Sequence, residues 1–400
     1  MNSSGEFGPP RPMCPISGRT SPPTGISPNS GLAKARLPRV DYVDRMWAGR
    51  GPDVGRTWAG RAPIAMVPRV IGHHVSAMTT SLTTQSGGFT LTLQLDRAHL
   101  LPGRLVGGIV RLVASDARDI RGARVTLVGT ETWRYDQTTT DANGHSRTQT
   151  RTATEDLPHV PVVILGPTTF ASGEVRDVPF QMPVPSLGPP TFDGTEVRVD
   201  WEVRLNVDVP GLDPALTMPV RVLQPTALLR AGVLDVAEFA LYPEAAVEAD
   251  GLLGTIALDP VPLCVGAPFT GHLTLAAGEA RTVQEVRLEI RVEVEATVSG
   301  GRSETIIAWS GVLAGAGSFG GATGSGAVGG GSGGGALGGV TGGGGAVTIG
   351  FQGTLPDRPL PTLRTPHGRA DAKVYVVVAV AWARDPHLAR DVAICSTTEV

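Results

Sequence analysis

The 400-residue sequence predicts an all-β chain: two tandem antiparallel β-sandwiches behind a disordered N-terminal segment. Three observations predict it. Apolar and polar residues alternate at period two along extended runs, which places one face of a strand in a core and the other in water. Gly (53) and Pro (33) are abundant while aromatic residues make up only 5%, a composition of short strands joined by turns rather than of helical bundles. One pattern of residues also occurs twice at constant offsets, the signature of a duplicated unit. The length suits two cores better than one.

Residues 1–77 show no apolar period, and Pro, Gly, Ser and Arg recur, as in Pro9-Pro10-Arg11-Pro12. Such a segment cannot bury a core and is expected to be disordered; an alternative is that translation starts at Met78, just ahead of the first clean strand. Nothing in it resembles the apolar region of a secretory signal. It carries ten basic and four acidic residues, against 24 and 33 in the remainder. The body is therefore acidic, and no nucleic-acid partner is expected. Only Lys34 and Lys373 among the 34 basic residues are lysines, a bias toward arginine that discounts any single Arg as a deliberate phosphate ligand.

The first sandwich is placed at 78–225. It opens with Phe89, Leu91, Leu93 and Leu95 against Thr90, Thr92 and Gln94, and its long strand alternates Val197, Val199, Trp201, Val203, Leu205 and Val207 with charged or polar residues. The prolines between Phe180 and Pro190 cannot donate ladder hydrogen bonds, so that stretch is an edge or a connection between sheets. A linker spans 226–249, where Leu228, Leu229, Val233, Val236 and Phe239 have the spacing of a short helix. The second sandwich occupies 250–400. Val286, Leu288, Ile290, Val292 and Val294 alternate with Arg287, Glu289, Arg291, Glu293 and Glu295, and the charged row reads as a solvated face. A Gly-rich loop follows at 311–345. The run from Val374 to Val380 is apolar on both parities, so both faces should be covered, and the longest dense apolar stretch, Val374 to Ala383, is too short to cross a bilayer. No integral membrane segment is expected.

The repeat ties these pieces together. Leu101-Pro102-Gly103 through Gly108, Val110 and Leu112 returns 163 positions later around Gly266, Phe269, Gly271, Leu273 and Leu275. Phe180-Gln181, Pro185, Pro190-Thr191, Asp200, Val203 and Val207 return at an offset of 171 as Phe351-Gln352, Pro356, Pro361-Thr362, Asp371, Val374 and Val378. The order of the two blocks is the same, which argues for duplication of a sandwich.

The pattern Pro102-Gly103, Gly108-x-Val110-x-Leu112, Val125-x-Leu127-x-Gly129 and Phe180-x-Met182-Pro183, ending in an alternating Val-rich strand, resembles the arrestin-like family, in particular bacterial arrestin-like proteins that control sporulation. The resemblance covers roughly 310 residues and is carried by structural positions. It implies two immunoglobulin-like sandwiches and a non-catalytic adaptor that binds proteins in sporulation, developmental or stress regulation. Pro189-Pro190-Thr191-Phe192 lacks the tyrosine of the ubiquitin-ligase-binding motif of some eukaryotic members, so that partner is not implied.

No catalytic, metal or cofactor site is expected. Gly315 to Gly320 matches G-x-G-x-x-G without the strand and helix that phosphate binding requires, and Gly330 to Gly334 mimics a nucleophile elbow in the same Gly-rich run. His145, His159, His272, His367 and His387 have no partners at metal-ligand spacing. Cys14, Cys264 and Cys395 are far apart, which fits a reducing cytoplasm, with the last two as core thiols. The candidate binding residues are Arg134, Arg147 and Arg151. They flank or lie in the Thr-rich segment Asp136 to Val160, which would face an acidic or phosphorylated protein partner, and whose plainer reading is a solvated hairpin extension. The C-terminal Thr398-Glu399-Val400 has the form of a tail that adds to a sheet edge. The alternatives to an adaptor are a secreted or surface structural sandwich and, third, an enzyme.

Overall fold

The computed structural model describes residues 80–398 apart from 233, 278, 280, 320–339, 344 and 381–384. The expectations for 1–77, the two glycine motifs and the C-terminal tail lie wholly or partly outside the described residues. The described residues are mostly β-strand, as the alternation requires.

Thirteen strands form the first half: β1 (Thr80–Ser86), β2 (Phe89–Leu95), β3 (His99–Leu100), β4 (Leu105–Ala114), β5 (Arg118–Ile120), β6 (Gly122–Thr140), β7 (Ser146–Asp156), β8 (Val160–Leu165), β9 (Thr168–Phe170), β10 (Val175–Pro183), β11 (Phe192–Asp193), β12 (Val197–Asp208) and β13 (Ala215–Val222). One sheet runs β1-β2-β4-β10 and the other β3-β13-β12-β6-β7, with β8 also on β6 and β11 on β12. Inward residues of β2 and β12 are buried in strict alternation, Phe89 to Leu95 and Val197 to Val207. Both rows join one apolar core, where each fully buried aliphatic side chain contributes about 1.5–3 kcal/mol. β10, with Pro179 and Pro183, is an edge strand, as its missing donors demand.

A five-residue helix, α1 (Thr226–Arg230), follows, and Glu238–Leu241 forms a 3-10 turn. The helix expected through Val233, Val236 and Phe239 is thus shorter than the spacing suggested. The second half is β14 (Glu244–Ala249), β15 (Leu252–Asp259), β16 (Leu263–Cys264), β17 (Pro268–Ala277), β18 (Arg281–Ala296), β19 (Ser303–Ala314), β20 (Gly317–Phe319), β21 (Val340–Gly343), β22 (Ala346–Thr354), β23 (Leu363–Arg364), β24 (Gly368–Val380), β25 (His387–Val392) and β26 (Ile394–Cys395). Its first strand lies inside the segment read as linker. The sheets are β14-β15-β17-β22-β21 and β19-β18-β24-β23, with β20 on β18, β25 on β24, and a parallel β16-β26 pair.

The two halves follow the same strand plan. Each opens with a two-residue hairpin whose residues both have positive φ, Gly87-Gly88 and Asp250-Gly251, the conformation of a type I′ turn. In each, a glycine lies under the aromatic ring of the Phe-Gln strand: a Cβ on Gly108 would meet Phe180 at 2.7 Å, and one on Gly271 would meet Phe351 at 2.5 Å. Thr191 accepts from Val222 N at 2.9 Å, and Thr362 accepts from Ile394 N at 3.0 Å. The offsets of 163 and 171 therefore join residues that do the same work.

Two expectations about surfaces need correction. The charged row of β18 is not uniformly solvated: Glu289 is only 5% exposed, enclosed by Arg287 at 2.8 Å and Arg291 at 2.7 Å. Burial of a carboxylate is tolerated there because both flanking cations satisfy it. On β24, cover on both faces is confined to Val376, Val377 and Val378; Tyr375 is partly exposed and its hydroxyl donates to Glu293 at 2.6 Å.

Candidate functional site

The Thr-rich segment is a paired hairpin, not an open loop. β6 and β7 stay in register from Thr130↔Asp156 to Thr140↔Ser146, and every residue from 137 to 148 is exposed. The turn is held by Asp141, whose carboxylate accepts from the backbone N–H groups of Asn143 (2.8 Å) and His145 (2.9 Å). Those donors keep its pKa below the usual value, with His145 N–H the largest cause. Gly144 supplies the positive φ the turn requires.

Register decides what each face presents, since residues directly opposite share a face. One face carries Thr132 with Thr154, Thr138 with Thr148 and Thr140 with Ser146, each pair joined through its hydroxyls, together with Arg134. The other carries Arg151 opposite Tyr135 and Arg147 opposite Thr139. The structure therefore brings Arg147 and Arg151 together, about 13 Å apart along one strand. It puts Arg134 on the opposite face.

At its base the hairpin meets the second half. The turn joining β18 to β19 lies along the free edge of β6: Asp136 N donates to Gly300 O at 2.7 Å, Arg302 N to Arg134 O at 3.2 Å, and Tyr135 bridges Gly301. Gly300 has φ +72°, and a Cβ there would lie 2.3 Å from Asp136 O, so the approach requires glycine. The Arg302 guanidinium reaches Glu196 at 3.1 Å and Asp136 at 3.1 Å. Thr150 Oγ1 also donates to Asp136 at 2.8 Å. Thr150 and then Arg302 hold the Asp136 carboxyl below the ordinary range, and Asp136 and Glu196 raise the guanidinium.

A second arm lies beside the first. Glu131 is fully buried; its Oε1 accepts from Thr365 Oγ1 (2.5 Å) and His367 N (3.2 Å), and its Oε2 lies 3.2 Å from His367 Nδ1. The His367 ring stacks on Trp133 with centroids 3.8 Å apart, and its Nε2 is 3.4 Å from Glu155. Glu304 from the second half accepts from the backbone of Thr195 and Glu196, and Arg358 pairs Asp193 at 3.0 Å. These carboxylates are met by cations, hydroxyls or backbone N–H groups, the chemistry of a charge-assisted clamp.

Of these groups the sequence pointed only to Arg134 and to the segment from Asp136. Glu131, Trp133, Glu196, Arg302 and His367 were missed. One signal was available: Glu131 stands on the inward parity of Val125, Leu127 and Gly129, where a carboxylate is out of place. Among the described residues no three His, Cys, Asp or Glu side chains converge on a metal position. No known protein-family model matches the chain, and no curated protein matches it in sequence.

Proposed function

We propose that this chain is a non-catalytic, cytoplasmic adaptor of the arrestin-like kind, two sandwiches in tandem, that grips a protein partner with the β6–β7 hairpin. The observation that carries the reading is that hairpin. Its outer part buries no apolar surface, yet it stays paired to the tip and is anchored at its base by the second half. A two-stranded hairpin is marginal on its own, and core packing gives no reason for this one to extend. Recognition elements are characteristically such segments on a rigid scaffold. Arg147 and Arg151 give one face a positive character suited to carboxylate or phosphate groups on the partner.

The test is affinity capture with the full chain against a variant in which residues 137–149 are replaced by a two-residue turn. Loss of the partner from the shortened chain, with an unchanged circular dichroism spectrum, is the expected result. A partner retained by the shortened chain would remove the hairpin from the account.

A further inference from the structure

Cys264 and Cys395 lie directly opposite each other on the parallel pair β16–β26. Neighbouring strands are about 4.8 Å apart, which puts the two Cα atoms within the range a disulfide spans. The pair sits in a small second core with Leu229 and Ala393, apart from the main one. Cys264 is 7% exposed and Cys395 fully buried. Thr226 of α1 has its hydroxyl 3.3 Å from Cys395 Sγ, in position to donate to it. Cys395 Sγ lies 3.3 Å from Leu263 O, to which it donates, and the neighbouring Cys264 thiol draws the Cys395 pKa below the ordinary thiol value.

The first half shows what these positions need for packing alone. At the repeat offset Cys264 corresponds to Leu101. Thr362 bonds Ile394 as Thr191 bonds Val222, so Cys395 corresponds to Leu223. A leucine pair fills the place in one copy. Two sulfurs in the other add chemistry that packing does not require.

We propose that Cys264 and Cys395 are a reversible dithiol–disulfide site, oxidised by hydrogen peroxide, that fastens β26 to β16. The Cys395 thiolate attacks one peroxide oxygen; the O–O bond breaks, a sulfenic acid forms, and the leaving hydroxide takes up a proton as water. The Cys264 sulfur then loses its proton and attacks the Cys395 sulfur, and the S–O bond breaks to release a second water. Two thiols are oxidised and one peroxide reduced. Dithiol reductants reverse the bond by exchange.

The experiment treats the folded full chain carrying Cys14→Ser with hydrogen peroxide, then maps thiols by intact mass and by peptides under non-reducing conditions. The expected result is loss of two hydrogens, a linked peptide containing Cys264 and Cys395, a higher denaturation midpoint, and full reversal by dithiothreitol. Two thiols still open to alkylation after unfolding, or a sulfinic acid on Cys395 with no linkage, would overturn the proposal. The Cys264→Leu/Cys395→Leu chain, which restores the residues of the first half, should show no peroxide-dependent shift in midpoint. An equal shift in that variant would also overturn it. The mass map needs no variant at either cysteine and decides the matter if the double variant does not fold.

Discussion

The two halves repeat one strand plan but differ at the positions where they meet. Glu131 on β6 corresponds to Val294 on β18, an apolar residue buried in its own core. Glu196, just before β12, corresponds to His367, just before β24. The hairpin of the first half thus offers an acid to the His of the second, while the hairpin of the second offers Arg302 to the Glu of the first. The exchange is reciprocal. Gly368, the counterpart of Val197, packs against that same valine, and a Cβ on it would come within 2.5 Å of Val197 Cγ1. Ala296 ends β18 at the position of Trp133, whereas β6 runs on to Thr140. The shorter hairpin stops where its turn can dock on the longer one. The comparison teaches that two halves of one strand plan can be joined through a few differences at equivalent positions, without a change of plan.

The largest effect is expected in the cores. Trp201 packs over Gly129, where a Cβ would meet the indole at 2.8 Å; the corresponding pair in the second half is Ala372 with Val292. Trp201→Ala should cost about 3–5 kcal/mol by chemical denaturation. Gly129→Val alone should cost about 1–3 kcal/mol by overpacking. The double variant, which copies the second half into the first, should recover at least about 1 kcal/mol relative to the sum of the singles. Strict additivity would mean that the two positions are not a compensated pair.

Next come the junction residues. His367→Ala removes the ring that meets the buried Glu131 carboxyl at 3.2 Å and leaves it Thr365 and a backbone N–H, and a loss of about 1–3 kcal/mol is expected. Glu131→Val, the residue of the second half, should cost less than His367→Ala, because it removes the buried polar group instead of taking away one of its partners. Equal costs would place the contribution in packing on Trp133. Gly368→Val should cost about 1–3 kcal/mol by overpacking against Val197.

A smaller effect concerns pH. The Asp136 carboxyl has a folded pKa below its unfolded value, so its contribution is present above the unfolded pKa of about 4 and disappears as pH falls through the folded pKa. Asp136→Asn should flatten this acid limb of a stability–pH profile and leave the neutral region little changed in slope. A profile identical to wild type below pH 4 would show that Asp136 carries none of it. Smallest of all, Arg147→Glu with Arg151→Glu should change stability by less than about 0.5 kcal/mol, since both are exposed, while abolishing capture of an acidic partner.

The period-two runs and the repeated Gly, Phe, Pro and Thr positions made the β class and the duplicated plan legible, because each repeated residue meets a local demand: a turn, a ring over a glycine, an edge. The junction was not legible. Arg302 and Glu196 are 106 residues apart and His367 and Glu131 are 236 apart, so no local pattern links them. β14 was read as linker because Glu244–Ala249 is Ala on both parities apart from Val247 and two Glu, and offers little apolar contrast. The burial of Glu289 depends on two arginines folding over it, which residue type alone cannot reveal. Arg134 and Arg151 looked like one cluster in sequence, and only the register separates their faces.

The central claim is that the reciprocal junction makes the two halves one cooperative structure. Differential scanning calorimetry of the wild-type chain and of the Glu131→Val/Arg302→Ala variant tests it most directly. The account predicts one transition with equal calorimetric and van't Hoff enthalpies for the wild type, and two separated transitions once both arms are removed. Two independent transitions in the wild type, or a single unaltered one in the variant, would contradict it.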